Sequence, residues 1–118
     1  MAKIMVVDDA AFMRMRCTKL LQDNGYETLE AANGVEAVKK YQEQKPDAVL
    51  MDITMPDMDG IETLKKLVEI DSKVRIAMVT AMGQQSLVIE ALKSGAKDFV
   101  VKPFNADRVL AAVKKITS

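Results

Sequence analysis

The sequence predicts an α/β fold: a five-stranded parallel sheet of order 2-1-3-4-5 with helices on both faces. Three observations carry this. Short apolar runs alternate five times with stretches of helical spacing, the pattern of βα units around a parallel sheet. Four of the runs, at residues 4–7, 48–51, 76–79 and 99–101, are apolar throughout, as strands buried on both faces are. The other, Glu27-Thr28-Leu29-Glu30-Ala31, is mixed, which suits an edge strand and places the second strand outermost.

Each helix announces itself by its apolar stripe. Met13, Cys17, Leu20 and Leu21 follow the first strand at i, i+4, i+7, i+8 spacing, one face of a 3.6-residue repeat. Ala37, Val38 and Tyr41 make a shorter stripe after the second, and Ile61, Leu64, Leu67 and Val68 one after the third. Leu87, Val88, Ala91 and Leu92 follow the fourth strand; Val109, Ala112, Val113 and Ile116 follow the fifth. Asn33 stands three residues before Glu36, and Asp59 three before Glu62, both spaced as a helix cap and its partner. Asn105 is placed to cap the last helix, and Gly25 and Gly95 sit where helices should stop. The resulting arrangement is flavodoxin-like.

The 118 residues suit one domain, 1–118. Area scaling predicts about 6,300 Å² exposed when folded, against roughly 19,000 Å² unfolded, enough burial for a core without disulfides or structural metals. Basic and acidic residues number 17 each, so the formal charge is zero. That argues against a nucleic-acid or membrane-surface binder working by bulk electrostatics. No apolar run approaches the ~18 residues of a membrane span. Met1-Ala2-Lys3 leads straight into a strand, so no signal peptide is expected. With one cysteine and no histidine, an internal disulfide and a histidine-based triad are excluded and a zinc site is disfavoured. The expected setting is a reducing cytoplasm, and the expected state a monomer. Cys17 lies on an apolar stripe and is read as packing.

The chemistry sits at the strand ends. The first buried strand leads into Asp8-Asp9, the third into Asp52, the fourth into Thr80 and the fifth into Lys102. In a parallel sheet these ends share one edge, where open α/β sheets bind ligands. Taken singly, an aspartate after a strand is most often a turn or cap residue. Asp52 caps badly, however, because the next helix starts near Asp59. Three adjacent carboxylates repel unless cations intervene. Lys102 and a divalent ion would balance them, and oxygen-only ligands point to Mg²⁺ or Mn²⁺. A carboxylate needs no base to act as nucleophile, so Asp52, alone at the end of a central strand, is the candidate phosphoryl acceptor. Asp8 and Asp9 would hold the metal, Lys102 would act as a point charge on phosphoryl oxygens, and Thr80 offers a hydroxyl donor.

These residues resemble the receiver domain of two-component response regulators along the whole chain. The matching pieces are Asp8-Asp9, Asp52 with Pro56 and Gly60, Thr80-Ala81, and Lys102-Pro103-Phe104. The segments DDAAFMR, MDITMP, AMGQQ and DFVVKPF resemble the chemotaxis branch. The resemblance implies that Asp52 takes a phosphoryl group from a phosphohistidine on a sensor kinase. It implies Mg²⁺ held by the Asp9 and Asp52 side chains and the Thr54 carbonyl, with Asp8 acting through water. It implies that Thr80 moves to the phosphoryl group, that Phe99 turns inward with it, and that Lys102-Pro103 is cis. The implied partners are a chemotaxis-type histidine kinase, a flagellar motor switch protein and a dedicated phosphatase. A phosphoacceptor that catalyses its own phosphorylation and dephosphorylation is expected, not a turnover enzyme. Many relatives carry Tyr where this chain has Phe99, so a polar contact through that hydroxyl is lost. Apolar Met55 and Met82 predict restricted access of attacking water and a long-lived phosphorylated state.

The alternatives are a phosphorelay shuttle, passing the group to another histidine, and a haloacid-dehalogenase-like phosphatase. The latter normally needs a second aspartate two residues after the nucleophile, where this chain has Thr54. A dinucleotide or flavin binder wants a glycine- or hydroxyl-rich loop after the first strand, where Asp8-Asp9 would repel phosphate. Of the residues left over, the nine methionines read mostly as core filler, an exposed, sticky loop being the alternative for Met55 and Met58, and Gln84-Gln85 read as the opening of the fourth helix.

Overall fold

In the computed structural model, residues 2–55, 58–81, 84–102 and 105–118 are described. Ten elements alternate along them. They are β1 (Lys3–Val7), α1 (Ala11–Asp23), β2 (Glu27–Ala31), α2 (Gly34–Gln44), β3 (Ala48–Asp52), α3 (Gly60–Ile70), β4 (Ile76–Ala81), α4 (Gln85–Lys93), β5 (Asp98–Lys102) and α5 (Ala106–Thr117). The strands form one sheet of order β2-β1-β3-β4-β5, every neighbouring pair parallel. The expected order holds, and the mixed β2 is the half-exposed edge.

Alternation along the strands divides the core in two. Met5, Val7, Val49, Met51, Ile76 and Met78 face α2, α3 and α4. Ile4, Val6, Ala48, Leu50, Ala77 and Val100 face α1 and α5. Successive strand residues point to opposite faces, so a strand covered on both sides must be apolar at every position. The folded chain exposes 6331 Å², in line with area scaling for this length.

The local signals read from sequence do what their chemistry demands. Asn33, Asp59 and Asn105 each accept from the backbone N–H three residues on, at 2.8, 2.9 and 2.8 Å, satisfying donors that a helix start leaves free. Gly25 and Gly95 adopt φ of 89° and 124°, a region closed to most side chains. Two expectations need correction. Leu87 and Leu92 lie on the apolar stripe of α4, yet only Val88 and Ala91 of that helix are buried. The helix meets the sheet along a single ridge, leaving an open groove of about 420 Å³ beside β5. The run at 99–101, expected as a strand buried on both faces, is the other edge of the sheet, with Val101 39% exposed and Phe99 half-buried; Met55 is core, buried under α3, and Met58 is half-buried.

Candidate functional site

Register brings the acidic residues level. Val7 pairs with Met51, and Asp52 with Val79, so the residue after β1 and the last residue of β3 emerge side by side. Thr80 and Ala81 pair with Val101 and Lys102 on the next strand. Asp8, Asp9, Asp52, Thr80 and Lys102 therefore share one edge, as the sequence predicts.

The side chains converge there. Asp8, Asp9 and Asp52 each offer a carboxylate oxygen, all within 4.8 Å of one another. Lys102 Nζ lies 3.1 Å from Asp52 Oδ2 and 3.4 Å from Asp8 Oδ2. Asp52 is only 8% exposed and Asp8 is also buried, whereas Asp9 is open to solvent. Burial pushes the Asp52 carboxyl above its ordinary range. The Lys102 hydrogen bond and charge oppose this, and Asp8 adds to it. Burial works against the Lys102 ammonium too, but its bonds and attraction to Asp52 and Asp8 prevail and hold it charged above its usual range.

The donor set fits a hard divalent ion. Oxygens on one Mg²⁺ stand about 3 Å apart when adjacent and about 4 Å when opposite, for bonds of ~2.1 Å. A 4.8 Å spread requires a small closing of the side chains or an intervening water. Asp8 is restrained from closing, because its Oδ1 already accepts from Ala10 N–H at 2.9 Å. The aspartate pair thus serves both readings: Asp8 makes the turn, and both carboxylates reach the site.

Thr54 N–H donates to Asp52 Oδ1 at 3.3 Å. Thr80 does not face Asp52 with its proton; the acceptors in reach of its hydroxyl are Gln84 Oε1 at 2.7 Å and, at a longer 3.2 Å, the Ala81 carbonyl. Phe99 is half-buried and lines the groove between α4 and β5 with Val88, Ile89 and Val101. Cys17 is buried, and desolvation with the nearby Asp8 charge pushes its thiol up to about 11, which leaves it unreactive. The cis Lys102-Pro103 bond and the positions of Pro56, Met82 and Phe104 fall outside the described residues.

Two functional residues escaped the sequence reading. Arg14 donates from a terminal guanidinium nitrogen to the Asp8 carbonyl at 2.6 Å and through Nε to Glu30 at 2.9 Å, tying the acidic turn to the edge strand. Gln84 bridges Thr54, Thr80 and Ala81. Neither has a periodicity to betray it; only tertiary contact shows the role.

The comparisons with known proteins agree with this geometry. Residues 4–114 match the family described as "Response regulator receiver domain". The chain is 60% identical over 114 residues to the chemotaxis protein CheY of Bacillus subtilis (strain 168), covering 96% of this chain and 95% of that one. It is 53% identical to CheY of Thermotoga maritima over 98% of this chain and 97% of that one. A solved response regulator receiver domain protein from Clostridium thermocellum superposes with a TM-score of 0.95 at 28% identity, covering 99% of this chain and 94% of that one. The chain belongs to the response regulator receiver family, and within it is CheY-like.

Proposed function

We propose that this chain is a chemotaxis phosphorylation switch in which Asp52 accepts a phosphoryl group from a phosphohistidine of a sensor kinase. The observation that carries the reading is a buried Asp52 bonded to Lys102 at 3.1 Å, with the Asp8 and Asp9 carboxylates beside it. Asp8, Asp9 and Asp52, with the Thr54 carbonyl, would hold Mg²⁺. When bound, the ion neutralises charge on the transferring phosphoryl oxygens.

The residues of the chain divide the work. An Asp52 oxygen attacks phosphorus in line with the phosphorus–nitrogen bond of the donor; that bond breaks, and the electron pair leaves with the imidazole. Lys102, already poised between Asp52 and Asp8, shifts its charge onto a phosphoryl oxygen. Phosphorylation turns one negative charge into about two and adds strong acceptors. Thr80 then gains a better partner than it has, and the loops after β4 and β5 shift. That shift biases a two-state equilibrium. Phe99, which lines the α4 groove from β5 together with Val101, carries the bias to a docking face formed by α4, β5 and α5. A flagellar motor switch protein is the proposed target of that face, and a dedicated phosphatase is compatible with the same site. We place the protein in the cytoplasm; no helix of the described residues is long and apolar enough to cross a membrane.

The test is incubation with Mg²⁺ and acetyl phosphate, followed by intact mass. The expected result is a gain of one phosphoryl group, absent in Asp52→Asn. Steady release of phosphate from simple esters would instead indicate a phosphatase. Capture of a motor switch protein only in the phosphorylated state checks the output.

A further inference from the structure

Gln84 stands immediately before α4, and its carboxamide spans the site edge. Its Oε1 accepts from the Thr80 hydroxyl at 2.7 Å and from Ala81 N–H at 2.8 Å. Its Nε2 donates to Thr54 Oγ1 at 2.8 Å. One amide thus ties the turn after β3 to the end of β4, across the edge that presents Asp52. Capping does not explain this, since the side chain makes no cap hydrogen bond to α4.

A threonine hydroxyl carries one proton. While that proton sits on Gln84, Thr80 has none to give to an oxygen on Asp52. We propose that Gln84 is a positioning residue of the switch: its carboxamide holds Thr80 and Thr54 in the unphosphorylated arrangement, and a phosphoryl group on Asp52 must win the Thr80 proton from it. The inference rests on the phosphoacceptor reading above. The exchange has a direction. Charge-assisted hydrogen bonds are roughly twice as strong as neutral ones, so an ionised phosphoryl oxygen outcompetes a neutral amide, and the amide recaptures Thr80 once the phosphoryl is lost. Gln84 is half-exposed, so its amide finds water on release and no buried group is orphaned. Release of Thr54 at the same moment frees the turn whose N–H donates to Asp52 Oδ1 at 3.3 Å.

The experiment is a titration with beryllofluoride, a phosphoryl mimic that binds carboxylates, in the presence of Mg²⁺. It is followed through the Thr80 methyl resonance, or a backbone resonance of β4 where Thr80 is replaced. Wild type is compared with Gln84→Ala, Gln84→Leu, Thr80→Ala and the Gln84→Ala/Thr80→Ala pair. Both Gln84 variants should bind the mimic about three- to tenfold more tightly, because only the unliganded state loses hydrogen bonds. Their unliganded Thr80 methyl should already lie toward the bound position. Without the Thr80 hydroxyl, Gln84→Ala should change affinity by less than about twofold, since coupling requires both partners. Unchanged or weaker binding in both Gln84 variants, or an equal effect in the Thr80→Ala background, overturns the proposal alone. Failure of the wild type to bind the mimic overturns the phosphoacceptor reading, and this one with it.

Discussion

Gly60 lies so close to Asp52 that a Cβ on the glycine would fall 2.2 Å from the aspartate's carbonyl oxygen and 2.6 Å from Ile53 Cα. The Gly60 N–H donates to the Ile53 carbonyl at 2.7 Å, so the start of α3 is seated on the strand end that presents Asp52. Both clashing groups are backbone, and no rotamer relieves them. Gly60→Ala should therefore cost about 1–3 kcal/mol, as overpacking does, and shift the Asp52 backbone. The urea midpoint should fall and labelling by acetyl phosphate should slow. An unchanged midpoint would show that helix and strand are not in register as described.

Asp52 makes the free protein less stable than it could be. Its carboxyl is raised above the ordinary value by burial, against the pull of Lys102. A raised folded value means the folded state holds the proton more tightly than the unfolded chain. Without metal, this group's contribution to stability therefore declines as pH rises from ~3.9 through the folded value. Asp52→Asn mimics the protonated form and should raise the metal-free Tm at pH 7 by about 2–5 °C. A calorimetric scan showing a fall would contradict the assignment of burial as the dominant influence.

A divalent ion held by Asp8, Asp9 and Asp52 would compete with Lys102 for the same oxygens. Removing the ammonium, which sits 3.1 Å from Asp52, should tighten Mg²⁺ binding in Lys102→Met by about tenfold or more, given the size of charge interactions at such range. Protons compete as well, so wild-type affinity should weaken as pH falls toward the raised Asp52 value. A fixed Mg²⁺ concentration of ~100 times the wild-type Kd at pH 8 should add about 2.7 kcal/mol to stability at that pH, less at pH 5, and little in Asp9→Asn. Isothermal titration at the two pH values reads the affinities, and denaturant unfolding with and without Mg²⁺ reads the stability gain. Weaker Mg²⁺ binding by Lys102→Met would rule out the competition.

Strand polarity explains why the site was legible before any coordinates. Asp52, Thr80 and Lys102 are each the last or next-to-last residue of a strand, and Asp8 directly follows one. Parallel strands send such residues to one edge whatever the details of packing. The caps Asn33, Asp59 and Asn105 were readable for a similar reason, since a cap bonds three residues along its own chain. Gln84 and Arg14 were not readable. Their partners lie on other elements, and long polar side chains reach them without any periodic mark in the sequence. The same limit explains Met55, whose burial depends on where α3 settles, and the exposed Leu87 and Leu92, which follow from how little of α4 the sheet edge covers.

Asp98 and Arg108 bind the start of β5 to the first turn of α5. The guanidinium lies 3.1 Å from one Asp98 oxygen and 3.3 Å from the other, and also donates to the Phe99 carbonyl. Burial alone would raise the Asp98 carboxyl, but the Arg108 bonds, the Phe99 N–H and nearby positive charge hold it below its ordinary range. A depressed folded value gives stability that is complete above ~3.9 and lost as pH falls through the folded value. The Arg108 side chain is 42% exposed, so solvent screening limits its worth, and Arg108→Gln should cost about 1 kcal/mol at pH 7. The mutant's stability curve should converge on the wild type's once pH falls below the folded Asp98 value. A parallel offset at every pH would assign the loss to packing instead.

The sequence predicts that position 82 influences how long a phosphorylated state would last. It stands two residues after Thr80 and carries methionine, which neither orients nor activates water. Hydrolysis of an aspartyl phosphate needs a water directed at phosphorus, and a carboxylate within reach of that water assists by holding it and accepting its proton. Met82→Glu should therefore speed loss of the phosphoryl group by about three- to tenfold, with phosphorylation by acetyl phosphate much less affected. The decay is followed by intact mass after the phosphodonor is removed, with Met82→Gln included to separate hydrogen bonding from basicity. Equal decay rates in wild type and both variants would mean that water reaches the phosphoryl group by a route position 82 does not control.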